Sequence, residues 1–334
     1  MSKSPEKTGE ERLIAKYFAP IARHPGALNL VDDAAVLTPP AGSDLVLTVD
    51  AIVGDVHFFS DDPPEAVARK ALRVNLSDLA AKGAVPAGFL MALALPEGVT
   101  DAWLQSFAQG LGADAESYAC PLLGGDTVKT AGPLMVSITA FGFVTQGKMV
   151  QRHGAKAGDE VIVTGAIGDA ALGLKLRNDS GAVQRWKLSN KMREHLVNRY
   201  LLPQPRNAIA ELVRAHVSAA MDVSDGLAGD LAKLCRASGV SAEIDVRRVP
   251  LSDAARTALA AEPGLIETIL SGGDDYEILC TVPPGRAESF IDAAQAKGVS
   301  ANRIGRVTAG EDAPRFSGAD GRPLSLSRTA FSHF

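Results

Sequence analysis

The 334-residue sequence has few cysteines, few aromatic residues and little net charge. Its three cysteines, Cys120, Cys235 and Cys280, lie far apart and form no C-x-x-C pair, which argues against a zinc site or a disulfide framework. The formal net charge of -5 gives no electrostatic reason to expect binding to nucleic acid or to an anionic membrane surface. A signal peptide and an apolar run of about 18 residues are also missing. We therefore expect a cytoplasmic protein with its cysteines in the core.

Two common ATP-binding signatures are absent as well. Gly147-Lys148 is followed by Met149, so there is no G-x-x-x-x-G-K-[ST] motif, and the H-R-D and D-F-G motifs of protein kinases are missing. Residues 164–168, TGAIG, lack the complete G-x-G-x-x-G pattern, which favours a tight turn over a dinucleotide site. Any use of ATP therefore requires another architecture.

The chain does contain enough apolar sequence for a large core. Hydrophobic residues make up 46% of it and charged residues only 22%. The length predicts two domains, and the polar, glycine-containing segment 151–159 places their boundary near residue 150. We therefore predict domains at residues 1–150 and 151–334.

Hydrophobic periodicity predicts alternating strands and helices in both halves, which is the pattern of an α/β fold class. The first half carries predicted helices at residues 11–22, 64–82 and 103–118 and strands at 44–53 and 134–144. The second half carries predicted strands at residues 160–164, 241–246, 276–282 and 303–308 and helices at 169–176, 206–217, 227–237 and 286–296.

Aspartates in apolar surroundings are the most informative feature of the sequence. They are Asp32, Asp33, Asp50, Asp78, Asp126, Asp222, Asp225, Asp274 and Asp275. Any one of them can be a helix cap or a turn residue, and Ser224-Asp225 before the predicted helix 227–237 fits that interpretation. Two bare carboxylates 5 Å apart repel by roughly 3 kcal/mol at an effective dielectric constant of 20, so a convergent set requires a multivalent cation. Oxygen ligands favour Mg²⁺, Mn²⁺ or Ca²⁺ over zinc.

Three further stretches bear on phosphate binding. In residues 124–127, GGDT, the glycines free the backbone to approach a phosphate. His57 is either a structural histidine or a polar contact to substrate, and Arg152 is either solvated or a phosphate ligand. In VNLSDLAAKG, residues 74–83, Asp78 lies in the interior of an apolar helix, where a cap role is excluded, and Lys82 is either a phosphate contact or solvated.

Taken in order, the motifs DDAA, TVD, VHF, NLSDLAAKG, GGDT, MDVSDGL and GGDDYE resemble those of the thiamine-monophosphate kinases. That family belongs to the superfamily of aminoimidazole ribonucleotide synthetase and selenophosphate synthase. The resemblance implies a two-domain α/β (α+β) aminoimidazole ribonucleotide synthetase-like fold, with mixed sheets flanked by helices. It implies that residues 1–150 bind metal and ATP and form a homodimer, and that residues 151–334 complete the ATP and substrate site.

The resemblance also implies a reaction and a set of contacts. ATP would phosphorylate thiamine monophosphate to thiamine diphosphate by direct in-line transfer on several Mg²⁺ ions, with no residue acting as an acid or base. The implied metal ligands are Asp33, Thr48, Val49, Asp50, Asp78, Asp126, Asp222 and Asp225. The implied ATP contacts are Tyr118, Gly125, Asp126, Arg152 and Ser224, and the implied substrate contacts are His57, Asp274 and Phe331. Val49 stands where the family often has a hydroxyl residue, and Asp274 where it often has glutamate.

Two alternatives remain at this point. One is another ATP-dependent synthetase of the same superfamily. The other is a non-catalytic module that binds metal or nucleotide and in which the aspartates are structural.

Overall fold

The computed structural model describes residues 9–318, 321–327 and 330. It divides into two compact units, the first (unit 1) formed by residues up to 79 and 85–146, the second (unit 2) by residues 80–84 and from 147 onward. Among the helices that the structure describes, none has the length and apolarity needed to cross a membrane. The assignment of metal, nucleotide, substrate and dimer roles to two domains stays a prediction.

Unit 1 is built on a mixed sheet. Its elements are α1 (Gly9–Leu13), β1 (Ser43–Val53), α2 (Pro64–Ala81, whose last two residues belong to unit 2), β2 (Val85–Leu95), α3 (Asp101–Ser117), β3 (Leu122–Lys129) and β4 (Met135–Thr145). The strand order is β1-β4-β2-β3, with β4 antiparallel to both its neighbours and β3 parallel to β2. One turn of π-helix, Ile14–Phe18, and a 3-10 segment, Pro25–Leu30, precede β1.

The two faces of this sheet differ in burial. Along β4, Val136, Ile138 and Ala140 are buried and alternate with partly exposed residues, so we call the face of these three residues the inner face and the opposite one the outer face. The register pairs Thr48 with Ala140 and Asp50 with Ile138, which places both on the inner face. Val49 pairs with Thr139, and Asp126 pairs with Ala92, which in turn pairs with Ser137. Val49 and Asp126 therefore lie on the outer face.

Helix α2 is buried on nearly every side. Leu72, Leu76 and Leu79 recur at three- and four-residue spacing and are fully buried, and Asn75 on the same turns is buried as well. Pro64 stands at the start of the helix, where its missing N–H is of no consequence, and Gly83 follows its end with a φ of 69°. These signals explain why the sequence predicted this helix to within a residue.

Unit 2 has a larger sheet with helices on both faces. Its elements are β5 (Glu160–Thr164), α4 (Asp169–Asn178), α5 (Ala182–Arg185), α6 (Asn190–Leu201), α7 (Ala210–His216), β6 (Ala219–Asp222), α8 (Leu227–Ser238), β7 (Ser241–Asp245), α9 (Asp253–Ala261), α10 (Leu265–Ser271), β8 (Ile278–Val282), α11 (Pro284–Ala296), β9 (Ala301–Thr308) and β10 (Arg315–Ser317). The strand order is β10-β7-β9-β5-β8-β6.

Alternation along β5 assigns the core of unit 2 to two clusters. Val161 and Val163 belong to one hydrophobic cluster, and Ile162 between them belongs to the other. The first cluster includes residues of α4, α6 and α8 to α10, and the second includes residues of α7 and α11. The predicted α/β class, with mixed sheets flanked by helices, is confirmed.

The predictions for the cysteines and for Lys82 can be compared with the structure. Cys120 lies in unit 1, and Cys235, Cys280 and Lys82 lie in unit 2. Cys120, Cys235 and Cys280 are all buried and free, and burial raises the pKa of Cys120 to about 12 and that of Cys235 to about 11. Lys82, within unit 2, donates a hydrogen bond of 2.7 Å from Nζ to the main-chain oxygen of Ala220. Its ammonium group has a structural partner, so the interpretation of Lys82 as simply solvated is wrong.

Several elements were not predicted. In strand β2, Phe89, Met91 and Leu93 are buried, but the exposed residues between them, Leu90 and Ala92, are apolar as well. The sequence therefore lacks the apolar–polar alternation by which a half-exposed strand is recognised. Strands β3, β6 and β10 and helices α5, α6, α9 and α10 were also missed. The predicted helix at residues 11–22 is instead α1 followed by the π-helical turn.

The core of α2 supports a stability prediction. We expect Leu76→Ala to lower the free energy of unfolding by about 2–5 kcal/mol, because the site is fully buried and a cavity replaces the side chain. Val31→Ala, at a position that is 85% exposed, should change it by less than about 0.5 kcal/mol. Equilibrium urea unfolding measures both. Equal effects of the two substitutions would contradict the burial assigned to Leu76.

Candidate functional site

A cavity of about 900 Å³ opens on the outer face of the sheet in unit 1. The N-terminal segment lines one side with Phe18, Ala27 and Leu30, followed by Asp32 and Asp33. Residues 124–127 of β3 line the other side. The structure therefore brings together three predicted site residues, Asp33, Gly125 and Asp126, around one cavity of a size common for small-molecule sites.

The GGDT residues form part of strand β3. A Cβ atom added to Gly125 would lie 1.9 Å from the main-chain oxygen of Met91 in β2. The glycine is thus required by the close approach of two strands, whatever else it contacts. Its predicted contact with ATP stays a prediction.

A second set of predicted ligands meets on the inner face. Thr48 donates a hydrogen bond of 2.5 Å from Oγ1 to Oδ2 of Asp78 on α2. The main-chain N–H of Asp50 donates to Oδ1 of Asn75, one turn before Asp78, at 3.0 Å. Asp78 therefore faces β1 and its threonine hydroxyl.

Val49 does not join this set through its side chain. That side chain is a hydrocarbon without donor atoms, lies on the opposite face from Thr48 and Asp50, and is 61% exposed. Only its main-chain oxygen has the chemistry of a metal ligand. The predicted role of Val49 is therefore restricted to its backbone.

His57 is fixed by hydrogen bonds on its ring and its backbone. Its Nδ1 accepts from the main-chain N–H of Val53 at 3.1 Å, and its main-chain oxygen accepts from the buried ammonium group of Lys70 at 2.9 Å. Because Nδ1 is an acceptor, the neutral ring carries its proton on Nε2. His57 is therefore held structurally through Nδ1 and its main-chain oxygen, and its contact with substrate stays a prediction.

Tyr118 follows α3 and is half-buried. The guanidinium carbon of Arg73 lies 5.6 Å from the centre of its ring. Arg73 also binds both carboxylate oxygens of the buried Asp114, at 2.5 and 2.9 Å. Arg73, which is itself paired with Asp114, therefore packs on one face of the Tyr118 ring. This is the ring predicted to contact ATP.

In unit 2, Asp222 is the last residue of β6, and the loop between β6 and α8 carries Ser224 and Asp225. The alternative interpretation of Ser224 or Asp225 as a cap of α8 is wrong, because Gly226 occupies the N-cap position and no side chain caps the helix there. The buried Asp230 instead accepts from the main-chain N–H groups of Ser224 and Asp225, at 3.0 and 2.9 Å. The loop is thus held from inside the helix that follows it.

Lys233 of α8 also binds the carboxylates of this region. It donates to Asp225 and, at 2.8 Å, to Asp230. One ammonium group therefore balances two carboxylates, one of which, Asp225, is a predicted metal ligand.

The motif GGDDYE lies directly against that loop. The main-chain N–H of Asp274 donates to the oxygen of Ser224 at 2.9 Å, and that of Tyr276 to the oxygen of Val223 at 2.8 Å. The structure therefore joins Ser224, a predicted ATP contact, to Asp274, a predicted substrate contact. Asp222 is buried at the end of β6, Arg152 is exposed in the segment before β5, and Phe331 lies outside the described residues.

The predicted metal ligands fit Mg²⁺, since each of them would bind the ion through an oxygen atom. Among residues 9–318, 321–327 and 330, no three acidic, histidine or cysteine side chains lie close enough together to hold a metal ion by themselves. Mg²⁺ commonly binds through one or two carboxylates and is completed by water and substrate phosphates, so a closed protein cage is not required. The convergence of the predicted ligands on shared ions stays a prediction.

Sequence reasoning missed the residues that support the site. Asp230, Lys233, Arg199 and Arg206 were not singled out, and Glu277 was noted only as part of a motif. Their partners lie between 3 and 113 residues away along the chain. The one available signal was the position of Glu277 within GGDDYE.

Both units match models of one protein family. Residues 31–144 match the N-terminal domain of AIR synthase related proteins, and residues 156–315 match their C-terminal domain. The fold and the match together define the class, and the chain belongs to the AIR synthase related family.

Similar proteins narrow the assignment within that class. A thiamine-monophosphate kinase of Caulobacter vibrioides is 43% identical over 96% of this chain and 89% of that protein. The structure of thiamine-monophosphate kinase from Stenotrophomonas maltophilia is 36% identical, with a TM-score of 0.82 over 94% of this chain and 96% of that one. AaThiL complexed with AMPPCP and TMP is 31% identical, with a TM-score of 0.76 and 91% of each chain covered. Within the class, the chain belongs with the thiamine-monophosphate kinases, which confirms the resemblance.

A buried carboxyl beside Asp274 supports a prediction on pH. Asp275 is fully buried, its Oδ2 accepts from the N–H of Gly168 at 2.8 Å, and its Oδ1 has no hydrogen-bond partner among the described residues. Burial raises the pKa of Asp275 well above its usual value. Between the unfolded and folded pKa values the native state binds more protons, so this carboxyl makes stability fall as pH rises, by up to about 1.4 kcal/mol per pH unit.

We expect Asp275→Asn to remove that dependence, because the amide keeps an acceptor for Gly168 and cannot ionise. The variant should gain stability relative to the wild type as pH rises from 5 to 8, measured by urea unfolding across that range. Asp312→Asn, at an exposed site, is the matched control and should follow the wild type. A constant difference between wild type and Asp275→Asn at every pH would contradict the prediction.

Proposed function

We propose that this protein transfers the γ-phosphoryl group of ATP to thiamine monophosphate, giving thiamine diphosphate and ADP, in the cytoplasm. The observation that carries the proposal is the similarity to thiamine-monophosphate kinases over 96% of the chain. The predicted site residues support it, since Asp33, Gly125 and Asp126 share a cavity and Ser224 lies against Asp274.

The reaction joins two anions, and their repulsion is the barrier that the site must lower. Bound Mg²⁺ would neutralise phosphate charge and align the attacking and leaving oxygens. The residues proposed to hold it are Asp33, Thr48, Asp50, Asp78, Asp126, Asp222 and Asp225, with the backbone of Val49. The attacking phosphate oxygen is already ionised at neutral pH, so no side chain is needed as a general base.

The chain's own residues would orient the two substrates. The proton on Nε2 of His57 suits a phosphate oxygen, and its fixed Nδ1 prevents the ring from presenting an acceptor there. Tyr118 offers a ring fixed by Arg73, and Ser224 and Arg152 offer polar groups for ATP. We propose His57, Asp274 and Phe331 as contacts to thiamine monophosphate.

We also propose that the protein acts as a homodimer and that two copies build each site. Asp50 lies on the inner face at β1, whereas Asp126 lies on the outer face at β3, at the opposite edge of the same sheet. Within one copy the two side chains point to opposite faces of the sheet, so we propose that a second copy brings its Asp126 to the Asp50 of the first. Leu45, Leu47 and Val49 form an exposed apolar row on the outer face of β1, as a surface for a second copy requires.

The proposed function predicts enzymatic turnover of thiamine monophosphate. The purified protein with ATP, Mg²⁺ and thiamine monophosphate should form thiamine diphosphate and ADP. ADP release that depends on thiamine monophosphate excludes a non-catalytic module, and absence of diphosphate from folded protein at saturating substrate would overturn the proposed function.

Asp126→Asn should lose most activity at ordinary Mg²⁺ while remaining folded, and near-normal turnover would remove Asp126 from the site.

The second prediction tests the shared site. Asp50→Asn and Asp126→Asn, each inactive alone, should together regain about a quarter of wild-type activity after co-expression, because half of the dimers then hold one intact site of two. Co-expression of Asp50→Asn with Asp78→Asn is the matched control and should recover nothing, since both residues lie on the inner face. Failure of the first pair to recover any activity would contradict a site built by two copies.

A further inference from the structure

Glu277 is a fully buried carboxylate in unit 2 that the proposed reaction does not use. It accepts from Oγ1 of Thr164 at 2.8 Å, from Nη2 of Arg199 at 3.0 Å and from Nε of Arg206 at 2.6 Å, with a further bond from Nη2 of Arg206. A buried carboxylate is tolerated only when such donors replace water. Three separate segments, the end of β5, helix α6 and the loop after it, are thereby tied to the residue that precedes β8.

The two arginines on Glu277 have different roles. Arg206 directs its fork at the carboxylate, with two nitrogens on two oxygens. Arg199 uses Nη2 for both Glu277 and the main-chain oxygen of Asp275, the latter at 3.1 Å. Arg199 is therefore the link between the buried carboxylate and the backbone of the GGDDYE motif.

That backbone has a conformation that needs support. Asp274 and Tyr276 have φ values of 71° and 52°, in the left-handed region that costs a non-glycine residue on the order of 1 kcal/mol or more. Hydrogen bonds from Asp274 to Ser224, from Tyr276 to Val223 and from Gly168 to Asp275 hold the segment on its other sides. The bond from Arg199 is the charged member of this set.

We infer that Arg199, oriented by Glu277, is a positioning residue that fixes the Asp274–Tyr276 backbone so that Asp274 is presented to the substrate. The inference rests on the proposed function in taking Asp274 as the substrate contact. It assigns Arg199 no contact with the substrate itself.

The test compares Arg199→Lys with Arg206→Lys. Lysine keeps the charge near Glu277, but its side chain is one bond shorter, so its ammonium group does not reach the position from which Nη2 of Arg199 bonds both the carboxylate and the Asp275 oxygen. We expect Arg199→Lys to raise KM for thiamine monophosphate about tenfold, the effect of losing one charge-assisted hydrogen bond, with kcat and KM for ATP within about twofold of wild type. Arg206→Lys should lower the melting temperature to a similar extent and leave that KM within about twofold.

A second measurement does not depend on the substrate. In the protein without ligands, hydrogen exchange in the peptide that covers residues 272–278 should be faster in Arg199→Lys than in wild type or Arg206→Lys. If Arg199→Lys does not fold, Arg199→Gln, whose side chain is shorter and uncharged, replaces it.

The outcomes separate this inference from the proposed function. Wild-type protein that fails to phosphorylate thiamine monophosphate overturns the proposed function, while the exchange comparison still decides the positioning role. Equal exchange in the two lysine variants, or an unchanged KM in Arg199→Lys beside an active wild type, overturns the inference.

Discussion

Side-chain alternation in the sheet of unit 1 determines how its carboxylates can be used. Thr48 and Asp50 point to the inner face, where Asp78 and Asn75 of α2 meet them, and Val49 and Asp126 point to the outer face. A shift of one residue in the register of β1 would move Thr48 and Asp50 to the outer face and Val49 to the inner face, and would leave Asp126 on β3 where it is. The inner-face positions of Thr48 and Asp50 and the exposed row of β1, the surface proposed for a second copy, therefore both follow from the pairing of β1 with β4.

The residue types of the site could be predicted from the sequence, but their partners could not. Aspartates in apolar segments stand out in a linear reading because a buried charge needs a reason. The pairing of Thr48 with Asp78 spans 30 residues and that of Arg199 with Glu277 spans 78, and only tertiary structure brings them together. The cap predicted for Ser224 and Asp225 failed for the same reason, because the acceptor Asp230 lies inside the helix.

The fold was predictable where a signal is local. Strand β1 alternates and α2 has proline at its start, apolar spacing along its length and glycine after its end, so both were found. Strand β2 is apolar at its exposed as well as its buried positions, and strand β6 is buried throughout, so neither shows an apolar–polar alternation in the sequence. The resemblance to a family supplied the substrate, which no arrangement of aspartates specifies.

Gly125 has a consequence for how the GGDT motif should be understood. Its α-hydrogen fills the space where β3 comes closest to the carbonyl group of Met91, so any larger residue separates the two strands. Selection for an intact sheet alone would retain this glycine, even in a descendant that had lost its nucleotide. Its presence in a distant homologue is evidence for shared architecture, and evidence for retained catalysis has to come from the neighbouring Asp126, which the sheet does not require.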